Sequence, residues 1–567
     1  MVSRVGCLIL ALSCAAAMGA EQQEPKPYLK ARPDAVRAWQ ADRFGMFLCW
    51  GPVSLTGREI GWSRGAPPWG RRPGVRGGRG PTPAAIYDAL YTKWTPDRFD
   101  ARAWAKVATD AGMRYMIFLV KHHDGFCLYD TKLTDYRSTG PASAWKVDAM
   151  KAVADACHEA GLKLFIYYSQ PDWHHPDFLG EHHERYVEYL HGQVRELLTG
   201  YGRVDGLWFD NLRGVAPATA KLWDAERLFE MARTLQPHLL INNRCGLPGD
   251  FDTPEQRIGR FENQRPWESC ITLGTQWAWK PDDRIKPLRE CIHTLVRCAG
   301  GDGNLALNTN PMPDGRIEPR QAARFREIGQ WLARHGESIY GTRGGPFRHA
   351  PWGASTFKHT TVYLHILRWE ADPIRLPPLG KKIVGSRLLT GGSATVRQDD
   401  EGVAIAVPEA HRQEIDTIVA LELDGPASEI APSRVASGSV AAGKPARASN
   451  HFQNSATYAP GKAFDDDFDT RWGCDWGTKA AWLEVDLGKP TAVARALLCE
   501  PYGRVRKFEL QCRNSEDEAW RTFHSGTTIG ERRVVTFEPV TARFVRLSLT
   551  TTEGPSIWEF QLFPPSK

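Results

Sequence analysis

Between residues 36 and 342 the chain alternates short apolar, β-branched and aromatic runs with stretches of helical periodicity. This alternation constrains the fold more than any other feature. Strands are expected at residues 45–50, 115–120, 162–168, 206–210, 239–243 and 304–308, with amphipathic helices between them. Residues 148–160 illustrate such a helix: Met150, Val153, Ala154 and Cys157 form one stripe, and Gly161 stands where a C-terminal capping glycine belongs. Strands and helices in strict alternation make a parallel sheet with crossover helices. The length suits a (β/α)8-like barrel, typically about 250 residues. A doubly wound sheet fits less well, because no Gly-rich dinucleotide fingerprint follows the first strand. After Tyr340 the pattern changes to short alternating strands punctuated by Gly, Pro and Asp. The chain therefore divides into a barrel over residues 21–342, a small all-β domain over 343–425, and a second all-β segment over 433–565.

The first twenty residues read as a secretory signal peptide. Arg4 precedes an apolar run that ends in Ala15, Ala16, Ala17, Gly19 and Ala20, and polar residues 21–24 follow. The run is too short for a comfortable membrane span, and no other apolar stretch is long enough for one. A secreted protein, periplasmic or extracellular, is expected. The net charge of +6 is small for 567 residues and no arginine-rich motif appears, which argues against nucleic acid and tolerates an anionic glycan. The 21 tryptophans suit a sugar-binding protein, because a flat indole matches the C–H face of a pyranose. Cys291 and Cys298 lie about 10 Å apart along one expected helix, too far to bridge, and read as core thiols. The Arg- and Gly-rich residues 71–80 lack the Lys-Ser/Thr ending of a phosphate loop and read as a loop over the barrel mouth.

Barrel enzymes carry their chemistry just beyond the C-terminal ends of the strands. Lys121-His122-His123-Asp124-Gly125-Phe126 follows the second strand, Asp210 ends the fourth, and Asn242-Asn243-Arg244 ends the fifth. Polar groups at such positions are costly unless paired or functional. A carboxylate nucleophile at Asp210 needs a second carboxyl group as acid/base. Glu255 and Glu268, both on loops beyond the fifth strand, are the candidates. The adjacent pairs His174-His175 and His182-His183 lack the i, i+4 spacing of a helical zinc site and read as loop histidines.

Several blocks occur in order: Arg43-Phe44-Gly45-Met46-Phe47-Leu48-Cys49-Trp50-Gly51, Lys121–Phe126, Tyr167-Tyr168-Ser169 with Asp172-Trp173, Leu207-Trp208-Phe209-Asp210, Gly249-Asp250-Phe251-Asp252-Thr253-Pro254-Glu255, Trp267-Glu268, Gly303-Asn304-Leu305 and Gly336-Glu337-Ser338-Ile339-Tyr340. Together they resemble the α-L-fucosidases of glycoside hydrolase family 29. The resemblance implies a retaining exo-hydrolase that needs no cofactor for catalysis and removes terminal α-L-fucose from fucosylated glycans by double displacement. By motif, Asp210 resembles the nucleophile and Glu255 the acid/base, with Glu268 the alternative. His122 and His123 match a pair that binds sugar hydroxyls, and Arg244 matches a pocket arginine. Tyr168, Trp62 and Glu59 take pocket positions by approximate motif order. Cys49 stands where the family usually has histidine. A thiol is a weak donor, so the grip on plain fucose is expected to loosen, or the pocket to suit a modified, for instance sulfated, fucose.

The last segment contains Lys462-Ala463-Phe464-Asp465-Asp466-Asp467-Phe468-Asp469-Thr470-Arg471-Trp472, Trp482–Gly488, Ala542–Leu547 and Pro555-Ser556-Ile557-Trp558-Glu559-Phe560. It resembles the discoidin, or coagulation factor type C, β-sandwich, which often serves as a carbohydrate-binding module. The resemblance implies a structural Ca2+ held by Asp465, Thr470 and Glu559, since a hard cation takes oxygen ligands. Two other readings stand beside the fucosidase. One is a lectin-like protein with a weakened barrel, favoured only by Cys49. The other is a metal-dependent hydrolase, which lacks a convincing ligand set.

Overall fold

The computed structural model describes residues 26–565 except 69, 71, 72, 74, 212 and 370. The expected signal peptide, residues 1–20, lies outside the described residues.

Seven parallel strands form the N-terminal sheet: β1 (Phe44–Leu48), β2 (Tyr115–Lys121), β3 (Lys163–Ser169), β4 (Gly206–Asp210), β5 (Leu240–Ile241), β6 (Glu268–Thr272) and β7 (Asn304–Thr309). Their order is β5-β4-β3-β2-β1-β7-β6. Side chains alternate strictly. Phe47, Tyr115, Ile117, Phe165, Tyr167, Trp208 and Cys270 fill the barrel interior, while Leu48, Met116, Phe118, Ile166, Tyr168 and Phe209 pack outward under the helices. Glycines make room inside. A Cβ on Gly45 would stand 2.2 Å from the Tyr115 ring, and one on Gly206 would stand 2.2 Å from Phe165. Helices such as Ala101–Asp110 and Ala149–Glu159 start where Asp100 and Asp148 accept backbone N–H groups of the first turn. Gly161 follows the second of these at φ 68°, in the left-handed region expected of it.

The ring does not close by a regular ladder between β5 and β6. Single parallel bridges cross the gap instead: Asn242 with Phe251, Asp252 with Trp267, and Glu255 with Cys270. An irregular segment from Phe251 to Glu255 thus takes the place of the eighth stave. β6 itself was not expected from the sequence.

A five-stranded sheet, which includes Gly353–Lys358, Thr361–Ile366 and Thr417–Leu423, and a three-stranded sheet follow. They enclose their own core around Phe347, Leu364, Ile405 and Leu421. This domain packs on the barrel helix Leu288–Gly300, on which Cys291 and Cys298 are buried. The C-terminal module is antiparallel. Its long strands Ala480–Cys499 and Arg533–Thr551 pair with each other and close over Trp472, Leu483, Leu510 and Leu547. No helix among the described residues is long and apolar enough to cross a membrane.

Candidate active site

Asp210 is the last residue of β4, and the site is organised around it. The end of β4 is held by a side chain acting as backbone: Asn242 Oδ1 accepts the Phe209 N–H at 3.0 Å, and Asn242 Nδ2 donates to the Phe209 carbonyl at 2.9 Å. Three groups then address the carboxylate. The Tyr167 hydroxyl donates to Oδ2 at 2.9 Å, Arg244 Nη1 donates to Oδ1 at 3.0 Å, and His123 Nε2 stands 3.6 Å from Oδ2. Burial works to raise the pKa of Asp210, but the Arg244 guanidinium and the Tyr167 hydroxyl overcome it. The carboxyl is held below the usual aspartate range. It is an ionised group in a nearly dry pocket, as a nucleophile must be.

Arg244 is itself immobilised. Its Nε donates to Thr253 Oγ1 at 2.8 Å and its Nη2 to the Thr253 carbonyl at 3.1 Å. The same Nη2 reaches Glu255 Oε2 at 2.9 Å. One planar guanidinium therefore forks between Asp210 and Glu255, and its span sets how far apart the two carboxylates stand. Arg244 lies 4.6 Å above the Trp208 ring, which adds a cation–π contact on its apolar side. Asp210 is 11 % exposed at its side chain and Glu255 41 %, so one carboxylate is sunk in the pocket and the other lies towards its mouth.

The His122–His123 pair follows the end of β2, two strands along from Asp210. Ser169 donates its hydroxyl proton to the Pro171 carbonyl, so its oxygen accepts from His123 Nδ1 at 2.6 Å. With Nδ1 protonated, the neutral ring presents a bare Nε2 to the pocket. Burial keeps it neutral, taking His123 down to about 4. Burial and the neighbouring His123 depress His122 further, and its Nδ1 has no hydrogen-bond partner in the protein. Of these two uncharged imidazoles, His123 offers Nε2 to a sugar hydroxyl, whereas the unpartnered His122 Nδ1 is packed against Gly61. Trp62 is 39 % exposed and stands edge-on to His123 and Trp173, at 5.6 and 5.1 Å between centroids, as an aromatic lip. The end of the Arg- and Gly-rich segment lies against the same aromatic group: a Cβ on Gly77 would fall 2.1 Å from the Trp173 ring.

Glu59 accepts three backbone N–H groups, those of Ile60, Trp277 and Ala278, at 2.8–3.0 Å. It ties the loop after β1 to the loop after β6, and burial raises it above the usual glutamate range. Cys49 is buried, and desolvation together with Glu59, Cys270, Glu255 and Asp210 holds its thiol fully protonated. Cys270 shares this environment and was not anticipated.

Two expectations are corrected. Tyr168 points away from the pocket. It is fully buried under the helices, with its hydroxyl on Gln193 Oε1 at 2.7 Å. The inward residue is its neighbour Tyr167, because β3 puts Phe165 and Tyr167 on the interior face. Glu268 is not on a loop. It is the first residue of β6, at the opposite end of the barrel from the pocket, where it takes hydrogen bonds from the Tyr115 hydroxyl and Trp208 Nε1. Burial raises its carboxyl to about 7, against the pull of those two bonds. The raised carboxyl that suits an acid catalyst is present there but lies away from Asp210.

In the C-terminal module, Thr470 Oγ1 sits within 3.2 Å of both Asp465 carboxylate oxygens and of the carbonyls of Lys462 and Asp467. One hydroxyl proton serves four acceptors. Glu559 lies alongside, accepting the Asp467 N–H at 3.0 Å through Oε1, while its Oε2 is buried with no partner. Burial, Asp466 and Asp465 push Glu559 well above the usual range. Surplus oxygen donors with an orphaned carboxylate fit a hard cation. Lys462 Nζ, 3.2 Å from Asp465, supplies part of that positive charge. No group of three or more His, Cys, Asp or Glu side chains among the described residues is arranged to hold a metal. A cation at this turn would therefore depend on backbone carbonyls and Thr470 as well as on the two carboxylates.

Comparison with known proteins identifies the family. The Alpha-L-fucosidase family model matches residues 10–337, and the F5/8 type C domain model matches residues 445–560. The putative alpha-L-fucosidase 1 of Oryza sativa subsp. japonica is 25 % identical over 550 residues, covering 96 % of this chain and 86 % of that protein. Alpha-L-fucosidase isoenzyme 1 from Paenibacillus thiaminolyticus superposes with a TM-score of 0.60 at 33 % identity, over 69 % of this chain and 99 % of that one. The GH29 alpha-L-fucosidase of Bacteroides thetaiotaomicron, solved as a trapped covalent intermediate with 2-fluoro-fucosyl fluoride, has a TM-score of 0.59 at 25 % identity and covers 70 % and 97 % of the two chains.

Proposed function

The chain belongs to the alpha-L-fucosidase family and is a glycoside hydrolase, and from that premise we propose that it is a retaining exo-α-L-fucosidase in which Asp210 is the nucleophile and Glu255 the acid/base. Asp210 attacks the anomeric carbon while Glu255 gives a proton to the departing glycosidic oxygen. Water then enters, Glu255 takes its proton, and the fucosyl–Asp210 ester is cleaved. The observation that carries this reading is the shared guanidinium: Arg244 holds Asp210 at 3.0 Å and Glu255 at 2.9 Å. To act as the acid, Glu255 exchanges Arg244 for the leaving oxygen. Its partial exposure and its place on the irregular stave allow that movement. His123 Nε2 accepts a sugar hydroxyl, and the Trp62 ring packs on the apolar side of fucose.

Cys49 provides a weak donor where a sugar hydroxyl would rest, which lowers affinity for plain fucose and leaves space for a substituent such as sulfate. The C-terminal module is proposed to bind glycan and to hold a structural Ca2+ through Asp465, Thr470 and Glu559, with support from the unpartnered Glu559 oxygen. Export of the protein, by way of the signal peptide read at residues 1–20, belongs to the same proposal.

The test is release of nitrophenol from an aryl α-L-fucoside by wild type and Asp210→Ala. The first-formed sugar anomer is followed by NMR, and the inactivated enzyme is mass-analysed after treatment with a 2-fluoro-fucosyl fluoride. Retained configuration and an adduct on Asp210 are expected. Inverted product, or full activity in the Asp210 variant, would overturn the assignment.

A further inference from the structure

Trp476 is the most exposed large hydrophobic side chain among the described residues, at 67 %, and Tyr502 is 51 % exposed. They stand on different loops of the C-terminal module. Trp476 follows the short strand Trp472–Gly473, and Tyr502 lies between the strands Ala480–Cys499 and Val505–Arg513. Arg504 brings the two together, with its guanidinium 5.4 Å from the Trp476 ring centre and 4.5 Å from that of Tyr502. A second guanidinium, that of Arg471, lies 5.4 Å from the Tyr502 ring centre and 4.9 Å from that of Tyr458. Phe452 meets Trp476 almost at a right angle, with ring centres 6.3 Å apart, and braces the indole while most of it faces solvent.

The two guanidiniums are unequally served. Arg504 Nη1 donates to the Gly554 carbonyl at 2.9 Å, and Glu553 stands 4.0 Å from Nη2. Arg471 is partly buried, and its Nε is buried with no hydrogen-bond partner in the protein. No carboxylate among the described residues forms an ion pair with it. The acidic turn just before it is engaged elsewhere: Asp465 with Lys462, Asp467 with Arg434, and Asp469 with His349 and the Phe261 N–H. A cation drawn out of water without an acceptor is costly, and two tyrosine faces offset that only in part. The in-plane N–H donors of a guanidinium match the paired oxygens of a carboxylate or a sulfate ester. A flat, exposed indole takes the C–H face of a pyranose. Both demands are met by one kind of ligand, a sugar ring that carries an anionic oxygen group.

We propose that Trp476, Tyr502, Arg471 and Arg504 form the glycan-binding face of the C-terminal module, and that this face selects an acidic pyranoside, one bearing a carboxylate or a sulfate ester. The inference rests on the reading of that module as glycan-binding, and adds to it a location and a charge preference. The chemistry of the barrel does not enter it. Because the contact is partly ionic and lies at the surface, binding weakens with added salt.

The experiment runs the full-length protein in affinity electrophoresis against four polymers: polygalacturonate, its methyl-esterified form, a sulfated α-L-fucan and the same fucan after desulfation. At least one acidic polymer is expected to retard the protein while its neutral counterpart does not, and which of the two does so separates carboxylate from sulfate. Trp476→Ala and Arg471→Gln should each weaken that binding about tenfold. The Trp476 variant, changed at an exposed position, should melt like the wild type, so its loss of binding is not a loss of fold. Undiminished binding by both variants would overturn the assignment of this face without touching the broader role of the module. Equal retardation by acidic and neutral polymers would overturn the charge preference. Retardation by none of the four would remove the glycan-binding reading itself, and this inference with it. Binding to phosphatidylserine vesicles but to no polymer would make the face a membrane contact and overturn the proposal.

Discussion

Asp469, in the acidic turn of the C-terminal module, accepts the backbone N–H of Phe261 at 3.0 Å, in the loop that leads from Glu255 to β6. Its other oxygen lies 3.3 Å from His349 Nε2 of the middle domain. One carboxylate thus ties all three domains at the loop behind the proposed acid/base. Burial works to raise Asp469, and His349 with the Phe261 N–H outweighs it, so the carboxyl sits below the usual range. The linkage follows in sign. The contact's contribution is complete above the ordinary aspartate value and is lost as pH falls through the lowered one. Asp469→Ala should open residues 256–266 to limited proteolysis at neutral pH, as strong acid should in wild type. Unchanged cleavage would mean that the module does not brace the loop.

Arg244→Lys should cut kcat/KM by about 30- to 1000-fold, since an ammonium cannot fork between two carboxylates and at least one charged hydrogen bond is lost. The shorter ammonium opposes burial less than the bonded guanidinium does, and the Asp210 carboxyl rises. The acid limb of the kcat/KM profile should then move to higher pH. A large loss with the limb in place would assign Arg244 to substrate binding alone.

Tyr167→Phe and Tyr168→Phe differ by one strand position and should differ in kind. The first removes a donor to Asp210 and should lower kcat about tenfold with little change in melting. The second leaves Gln193 Oε1 without its Tyr168 donor and should cost about 1–2 kcal/mol of stability with activity intact. Kinetics and thermal melting on both variants decide the matter, and the reverse pattern would reject the pocket geometry.

Glu268→Gln should leave hydrolysis intact. An amide has the shape of the protonated acid: its oxygen keeps the bond from Trp208, and the Tyr115 hydroxyl, which donates to the carboxyl in the wild type, turns to accept from the amide nitrogen. Because burial raises the folded-state carboxyl to about 7 from 4.5, the wild-type acid is fully favourable below the unfolded value and loses stability as pH rises towards the folded one. Wild type and variant should be alike at pH 4 and differ by about 3 kcal/mol at pH 8, the variant being more stable. Parallel melting curves across that window would show that Glu268 is not held protonated.

The proposed nucleophile and its arginine stood out in the sequence because Asp210 ends a strongly apolar strand and Arg244 follows just past the end of another, three residues beyond β5. β6 was not. Its interior positions are Glu268 and Cys270, one polar and one small, so Glu268-Ser269-Cys270-Ile271-Thr272 reads as loop until Tyr115 and Trp208 are seen to satisfy the carboxyl. Tyr167 and Tyr168 are chemically alike, and only strand register decides which faces inward: Tyr167 pairs with Trp208, and Ser169 pairs with Asp210.

The irregular stave separates the two carboxylates in another respect. Asp210 belongs to a strand laddered to β3 and clamped by Asn242, so an inserted or deleted residue nearby would shift the register of the whole sheet. Glu255 hangs on isolated bridges. Its segment can lengthen, shorten or shift while the barrel wall stays intact. Over evolutionary time one half of the proposed catalytic pair is anchored and the other is free to wander, so new leaving groups can be accommodated by remodelling residues 249–267 alone.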